Sequence, residues 1–260
     1  MRCAVVGHVE WVEFARVAHV PAAGEIVHAT ETWEEPAGGG AVVARQLALL
    51  NGSCELFTAL GDDELAPRAA QRLAELGVDV RVQSGGSTRR AFTHVDASGE
   101  RTITVLGDKL LPRGPLALDG YEAVFFVAGD AAALRSARGA RFLAATAREL
   151  PTLREAAVAL DLLVGSATDP GERYDGGLDT RVVVATEGAA GGTANGRRYD
   201  AAPLPAPISD AYGAGDSFAA ALCFALARGD ELGDDALAVA ARAGAAVLTR
   251  RGPYEGQISG

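Results

Sequence analysis

Short apolar runs alternate along the chain with longer stretches whose apolar residues recur at helical spacing. Runs at 3–7, 54–61, 78–83, 123–129, 141–147, 160–165 and 181–188 have the length and composition of strands. The spacing predicts helices within 38–52 and 62–77, with Gly52 and Gly77 suited to the helix ends, and two Ala-rich helices over about 214–228 and 234–249. This alternation predicts a mostly parallel sheet covered by helices on both faces.

Two segments interrupt this order with a two-residue period. The stretches at 12–33 and 89–107 alternate apolar and polar residues, and ASGE at 97–100 suits a hairpin turn. They are typical of a small, half-exposed sheet added to the main one. No internal repeat or low-complexity linker divides the chain, so we expect one domain over 1–260 with a β lid.

Composition and charge narrow the class of protein. Of 260 residues, 48% are hydrophobic and 22% charged, which is typical of a globular protein. The net charge of −10 argues against a nucleic-acid partner or an anionic membrane surface. The three cysteines lack the spacing of a disulfide framework or zinc site, and MRCAVVGHVEW carries no secretory leader pattern. We therefore expect a cytoplasmic protein without transmembrane segments.

The stretch SDAYGAGDSFAAAL at 209–222 carries the clearest candidate chemistry. Small residues just before a helix leave backbone N–H groups free, and the helix dipole adds positive potential there. Such a loop suits a phosphoryl group, and Asp216 at its edge suits a general base for an attacking hydroxyl. On spacing alone, a simple strand-to-helix turn capped by Asp216 or Ser217 is an equal alternative.

The full string resembles the C-terminal signature of the ribokinase-like (PfkB) carbohydrate kinases, D-T-x-G-A-G-D-x-F, with Ala211 at the usual Thr position. PAGGGAVVARQLALLNG resembles the N-terminal Gly-Gly signature of that family, and VVVATEGAAGG resembles its T-x-G-x-x-G segment. The resemblance covers nearly the whole chain. It implies a three-layer α/β/α fold with a β-sheet lid formed by about 10–36 and 88–107.

The resemblance also implies a role for individual residues. Asp216 is the expected base, and the expected phosphoryl-binding amides are those of Gly213, Ala214 and Gly215. The expected nucleotide-binding residues are Ser166, Thr186, Gly188, Gly191, Gly213 and Gly215. The expected acceptor-binding residues are Glu10, Val12, Gly38, Gly39, Gly40, Val43 and Asp216. Asp169 is expected to act on Mg²⁺ through water, and Asp210 to lie near a K⁺ ion.

The chain departs from the family pattern mainly where the acceptor binds. Val12 stands where the family usually has Asp, Val43 where it often has Asn, and SATD replaces N-x-x-E. The resemblance implies ATP-dependent phosphorylation of a sugar or small polyol hydroxyl, with a homodimer formed through the lid. A nucleoside kinase of the same fold and a non-catalytic sugar or nucleotide sensor stay open as alternatives.

Overall fold

A computed structural model describes all residues from 1 to 260. The strands are β1 (Cys3–Val6), β2 (Glu10–Arg16), β3 (Glu31–Ala37), β4 (Cys54–Leu60), β5 (Val78–Ser84), β6 (Arg90–Val95), β7 (Arg101–Leu106), β8 (Ala123–Phe126), β9 (Phe142–Thr146), β10 (Leu162–Ser166), β11 (Val183–Thr186), β12 (Gly192–Ala194) and β13 (Arg197–Tyr199). The helices are α1 (Gly39–Asn51), α2 (Leu65–Glu75), α3 (Ala131–Ala137), α4 (Leu150–Ala156), α5 (Ala214–Ala227) and α6 (Asp234–Leu248). None of these helices combines the length and apolar character that crossing a membrane requires.

A nine-stranded sheet forms the centre of the molecule, in the order β13-β12-β11-β10-β9-β8-β1-β4-β5. All neighbouring pairs are parallel except β11–β12 and β12–β13 at one edge. The predicted mostly parallel sheet is therefore confirmed. The sequence pattern missed the antiparallel edge because β12 and β13 have only three residues each, too few to show a period.

Helices cover both faces of this sheet, which gives three layers. Val5 and Phe125 point into an apolar cluster with α1, α2, α5 and α6. Their chain neighbours Val6 and Phe126 point into a second cluster with α3 and α4. Because successive strand residues face opposite sides, a strand buried on both faces is apolar throughout, which explains the uninterrupted apolar runs.

A separate four-stranded sheet has the order β3-β2-β6-β7 and forms the lid. The β2–β6 pair is parallel, and the other two pairs are antiparallel. The rings of Phe14 and Trp33 stack with centroids 4.8 Å apart, and the base of this sheet packs against Tyr212 and Tyr254. The lid sheet is confirmed, although strand pairing begins only at Glu31 on β3 because most of 18–30 is solvent-exposed.

The end of β1 packs against the start of α1 with no room for side chains. A Cβ atom at Gly40 would lie 2.6 Å from the carbonyl oxygen of His8 and 2.7 Å from the carbonyl carbon of Gly7. A Cβ atom at Gly7 would lie 2.7 Å from the Cα of Gly40. Glycine at both positions therefore brings the N-terminus of α1 directly onto the carboxyl end of the central strand.

We predict that Gly40→Ala lowers the free energy of unfolding by about 1–3 kcal/mol, because the backbone atoms it would strike cannot turn aside. Urea unfolding measures this. Gly233→Ala is the control, because its nearest neighbouring atom lies 4.0 Å from the new Cβ, and a loss below about 1 kcal/mol is expected. Equal losses of stability in the two variants would contradict the close approach of Gly40 to the end of β1.

Candidate active site

A small cavity lies at the carboxyl ends of the parallel strands. Its volume is about 110 Å³, and its lining includes Val127, Thr146, Gly165 and Thr186, which lie at or next to the last residues of β8, β9, β10 and β11. Chain connections run in opposite directions on the two sides of the β1–β8 pair. Crevices at such a switch in strand order are the usual ligand sites of open α/β sheets.

Asp216 lies in this cavity, where the N-termini of two helices meet. It occupies the first turn of α5, whose N-cap Gly213 has a φ of 82°, a conformation that favours glycine. A Cβ atom at Gly39, the first residue of α1, would lie 3.2 Å from Asp216 Oδ1. The structure thus brings together the predicted base, the predicted loop and part of the Gly-Gly segment.

The cavity shifts the protonation of Asp216 toward the neutral acid. Desolvation, followed by the negative charge of Glu172, raises the pKa of Asp216 from 3.8 to about 6. The positive charges of Arg101 and Arg148 oppose this shift. A carboxylate with such a pKa is ionised at neutral pH and accepts a proton more readily than an ordinary Asp.

Glu172 is a second carboxylate of the cavity that the sequence reasoning missed. The turn at Pro170–Glu172 is a short 3₁₀ helix, and it returns Glu172 to the cavity beside Asp216. Asp169, the residue expected at this point, accepts a hydrogen bond from Gly171 N at 2.8 Å and caps that turn. Arg148 Nη2 donates to both carboxylates, at 2.6 Å to Asp169 and 2.7 Å to Glu172. Asp169 therefore positions the turn.

A larger cavity of about 470 Å³ adjoins the first and shares Thr186 and Gly215 with it. It contains the predicted nucleotide-side residues Thr186, Gly188, Gly191 and Gly215, together with Ala214 of the predicted phosphoryl-binding loop. Its far wall is apolar and comes mainly from α5, α6 and the segment after β13, with Phe218, Leu204, Ala241 and Leu248 among its residues. A slot with an apolar end and a loop of free amides at its other end suits a nucleotide.

Two predicted nucleotide-side residues lie outside this slot. Gly213 lines only the smaller cavity. The other is Ser166. Its Oγ accepts hydrogen bonds from Thr168 N and Asp169 N, both at 3.2 Å. It lines a different cavity together with Tyr174 and Val183. Its hydroxyl therefore closes the turn after β10.

Polar groups also gather where β1 leads into the lid. Glu10 Oε2 lies 3.1 Å from Arg89 Nε, and both side chains are mostly buried. Tyr212 Oη donates to Glu10 Oε1 at 3.4 Å and accepts from Gly38 N at 3.2 Å. Desolvation raises the pKa of Glu10 despite the charge of Arg89.

His8, beside this network, is held neutral. Desolvation, followed by the charges of Lys109 and Arg89, lowers its pKa to about 3. A Cβ atom at Gly38 would lie 3.0 Å from His8 Nε2, so the Gly-Gly segment passes directly over the ring. The predicted acceptor-side residues Glu10, Gly38, Gly39 and Gly40 thus lie together.

The two valines expected on the acceptor side are packing residues in the structure. Val12 is fully buried in the apolar base of the lid, with Phe14 and Tyr212 in the same cluster. Val43 is 1% exposed and belongs to the apolar layer under α1. Neither side chain has a polar atom, so neither can hydrogen-bond an acceptor hydroxyl.

Asp210 fastens the loop before α5 to the C-terminal segment. Its Oδ1 accepts from Tyr212 N and its Oδ2 from Gly252 N, both at 2.9 Å. The residue is fully buried, and desolvation raises its pKa. A K⁺ ion beside it stays a prediction.

Solved structures share this fold over nearly the whole chain. A ribokinase from Cryptococcus neoformans in complex with ADP aligns with a TM-score of 0.75 and 23% identity, covering 99% of this chain and 96% of that one. A nucleoside kinase from Methanocaldococcus jannaschii, an archaeal member of the ribokinase family, aligns with a TM-score of 0.78 and 17% identity, covering 100% and 95%. Identities this low establish the ribokinase-like fold alone.

Similarity of sequence shows which family the chain belongs to. The model of the pfkB family carbohydrate kinases matches residues 1–130 and 131–259, so the chain belongs to that family. A ribokinase from Dictyostelium discoideum is 30% identical over 106 residues, which are 40% of this chain and 33% of that protein. The match therefore spans about a third of that ribokinase's length.

Gly213 and Gly215 should respond differently to substitution by Ala. Gly213→Ala should lower the free energy of unfolding by about 1–2 kcal/mol, because of its positive φ and a new Cβ 3.0 Å from Val42 Cγ1. A Cβ at Gly215 meets no protein atom within 4 Å, so Gly215→Ala should raise stability by up to about 1 kcal/mol. Urea unfolding measures both.

The same Gly215→Ala variant should bind MgATP roughly tenfold more weakly, a loss of about 1.4 kcal/mol, because its methyl group enters the wall shared by the two cavities. Calorimetric titration measures the affinity. Unchanged affinity for MgATP in a stable variant would mean that the phosphates do not bind against Gly215.

Asp216→Asn should stabilise the protein at pH 7. The pKa of about 6 in the folded state lies above the ordinary 3.8, so ionisation destabilises the fold as the pH rises through that window. The gain in the free energy of unfolding should therefore be present at pH 7 and vanish below about pH 3.8. Urea unfolding across pH measures it.

Asp63→Asn is the control, because we expect it to change the free energy of unfolding in the opposite direction. Hydrogen bonds from Thr88 lower the pKa of Asp63 despite desolvation, so this variant should lose stability at pH 7. A change in the free energy of unfolding in the same direction in both variants would contradict the raised pKa of Asp216.

Proposed function

We propose that the protein transfers the γ-phosphoryl group of ATP to a hydroxyl of a sugar or related small polyol. The observation that carries this proposal is the position of Asp216, which lies in the cavity next to the nucleotide slot and at the start of both α1 and α5. Membership of a carbohydrate kinase family and an ADP-bound ribokinase of the same fold support the reaction class.

In this mechanism Asp216 accepts the proton of the attacking hydroxyl. Its pKa of about 6 keeps it ionised at neutral pH yet basic enough to assist the attack. The backbone amides of Gly213, Ala214 and Gly215 bind the oxygens of the transferring group at the N-terminus of α5, where the helix dipole favours negative charge. The apolar end of the 470 Å³ slot holds the nucleoside part of ATP.

The residues of the cavity also fit Mg²⁺ brought in by the phosphates. Glu172 and Asp216 are hard oxygen donors, and Mg²⁺ is commonly held by one or two carboxylates together with substrate phosphates. Glu172 is therefore the residue of this chain that we propose to hold the metal, with Asp169 and Arg148 positioning its turn. When bound, Mg²⁺ would supply neutralisation of phosphate charge.

The acceptor lies, in this proposal, between the Gly-Gly segment and the start of the lid. Glu10, Arg89 and the backbone of Gly38 provide buried acceptors and donors there, which suits the several hydroxyls of a polyol. The exposed side chains of Ile103, Val105 and Leu106 on β7 leave an apolar lid edge. That edge supports our proposal of a homodimer through the lid.

A nucleoside acceptor is the second candidate, because a nucleoside kinase shares the fold. It would need an aromatic face on which the base could stack. Trp11 is only 6% exposed, and the guanidinium carbon of Arg68 lies 4.4 Å from its ring centroid. This covered ring favours the polyol, and retention of Asp216 favours an enzyme over a sensor that only binds.

The test is ADP release with MgATP across a panel of sugars, polyols and nucleosides. One acceptor should give turnover, and Asp216→Asn should lower it by roughly a hundredfold or more, as expected for loss of a general base. The rate of the wild type should fall as the pH drops through about 6, because Asp216 takes up a proton there.

Asp234→Asn is the matched control, since this carboxylate is exposed and pairs with Arg197 on the surface. It should leave the rate unchanged. Tight ATP binding without turnover on any acceptor would reject the kinase and favour the sensor.

A further inference from the structure

The three cysteines of the chain lie in one apolar layer, and two of them begin neighbouring strands. Cys3 is the first residue of β1, and Cys54 is the first residue of β4. These strands are parallel and Ala4 lies opposite Glu55, so Cys3 and Cys54 face each other one position earlier. Both side chains point into the layer that also contains Cys223 of α5. The sheet thus brings together two thiols that no sequence spacing connects.

The spacing of the two strands suits a covalent bond between these thiols. Neighbouring strands lie about 4.8 Å apart, and the Cα atoms of a disulfide are usually about 4.4–6.8 Å apart. Opposite residues of a parallel pair, with side chains on the same face of the sheet, meet this requirement. Cys223 reaches the same layer from a helix and has no such partner in register.

Hydrogen bonds favour the thiolate of Cys3 over that of Cys54. Asn51 Nδ2 donates to Cys3 Sγ at 3.4 Å, and the neutral Cys3 thiol donates to Ser53 O at 3.2 Å. A hydrogen bond from the Cys54 thiol lowers the pKa of Cys3 and outweighs the opposing effect of desolvation. The same contact, followed by desolvation, raises the pKa of Cys54 well above its ordinary value. Cys3 is therefore the nucleophile of the pair, and Cys54 stays protonated beside it.

The pair lies just beneath the surface at the amino edge of the sheet. Cys3 is 3% exposed and Cys54 is 2% exposed, yet the residues directly before them, Arg2 and Ser53, are exposed. Local opening of such short surface segments admits a molecule of a few atoms. Asp216 lies at the opposite, carboxyl edge, so a bond between these cysteines leaves the candidate active site unobstructed.

We propose that Cys3 and Cys54 form a modification site, a dithiol that a small peroxide converts into a reversible disulfide in the folded protein. The Cys3 thiolate attacks one oxygen of hydrogen peroxide, the O–O bond breaks, and Cys3 becomes a sulfenic acid as hydroxide leaves. The sulfur of Cys54 then attacks the sulfenic sulfur, and an S–S bond forms. The hydroxyl group leaves with the Cys54 proton as water. The two sulfurs lose two electrons in total, and the peroxide takes them up.

Cys223 is the thiol of the same layer that we expect to stay reduced. It is fully buried on α5, and desolvation raises its pKa, so it forms little thiolate for an oxidant to attack. It therefore serves as an internal control, with the same surroundings but without a thiol opposite it on a neighbouring strand.

The test treats the folded wild-type protein with hydrogen peroxide and then counts its thiols after denaturation. The oxidised protein should keep one free thiol of its three, and a thiol reductant should restore the other two. A tryptic digest without reduction should contain residues 3–16 joined to residues 46–68. The peptide 199–228, which carries Cys223, should stay unlinked. Mass spectrometry identifies the joined peptides.

Single variants separate the two steps. In Cys54→Ala, peroxide should leave a sulfenic acid on Cys3, which dimedone labels, and no disulfide should form. Cys3→Ala should give neither product, because desolvation still disfavours the thiolate of Cys54. Cys223→Ala is the matched control and should form the disulfide as wild type does. Thermal unfolding checks that the variants are folded, and the wild-type digest decides the question if one of them is not.

Three outcomes would overturn the inference. Three free thiols after peroxide treatment would mean that the pair does not react in the folded protein. A bond that includes Cys223, or that joins two chains, would mean that strand register does not select the pair. A sulfinic acid on Cys3 without a disulfide would mean that Cys54 cannot reach the sulfenic sulfur. Each result is independent of the proposed kinase function.

Discussion

The closeness of two helix N-termini at the carboxyl edge of the sheet determines most of this structure. Helix α1 reaches the end of β1 because Gly7 and Gly40 have no side chains, and α5 starts beside it through the left-handed Gly213. Asp216 lies between them, within van der Waals reach of the position that a Cβ at Gly39 would occupy. Any side chain at these glycines would push the helices apart and open the site.

Such a site costs stability, and the fold offsets that cost elsewhere. Asp216 shares its cavity with Glu172, so desolvation and the negative charge of Glu172 both disfavour the ionised form of Asp216. Positive potential from the two helix N-termini, Arg101 and Arg148 partly offsets this cost by stabilising the ionised form of Asp216. The apolar layers on both sides of the sheet then hold the charged groups in place, since Val5 and Phe125 on one face and Val6 and Phe126 on the other are almost fully buried.

Sequence patterns predicted those parts of the molecule that depend on local order. The helix spacing, the apolar strands and the two-residue period at 12–33 and 89–107 predicted the two-sheet architecture. The roles of Asp216 and the loop before α5 came from the resemblance of the string at 209–222 to a family signature. Glu172 was missed because a 3₁₀ turn, invisible to a spacing rule, carries it back to the cavity while Asp169 caps that turn. Arg101 was missed because its place depends on how the lid docks. The packing role of Val12 was missed for the same reason, because its burial depends on how the base of the lid packs against Tyr212.

One hydrogen-bonded network ties the predicted acceptor side of the site to the position of the lid. Tyr212, two residues after Asp210 in the loop before α5, joins Glu10 at the start of the lid to the backbone of Gly38 at the start of α1. Arg89, just before β6, neutralises Glu10 from the other lid segment. A ligand that replaced any of these contacts would therefore act on both lid segments and on the loop before α5 at once. The same lid also carries Arg101 to the cavity of Asp216, so the Glu10–Tyr212 network and the lining of that cavity depend on one docked position of the lid.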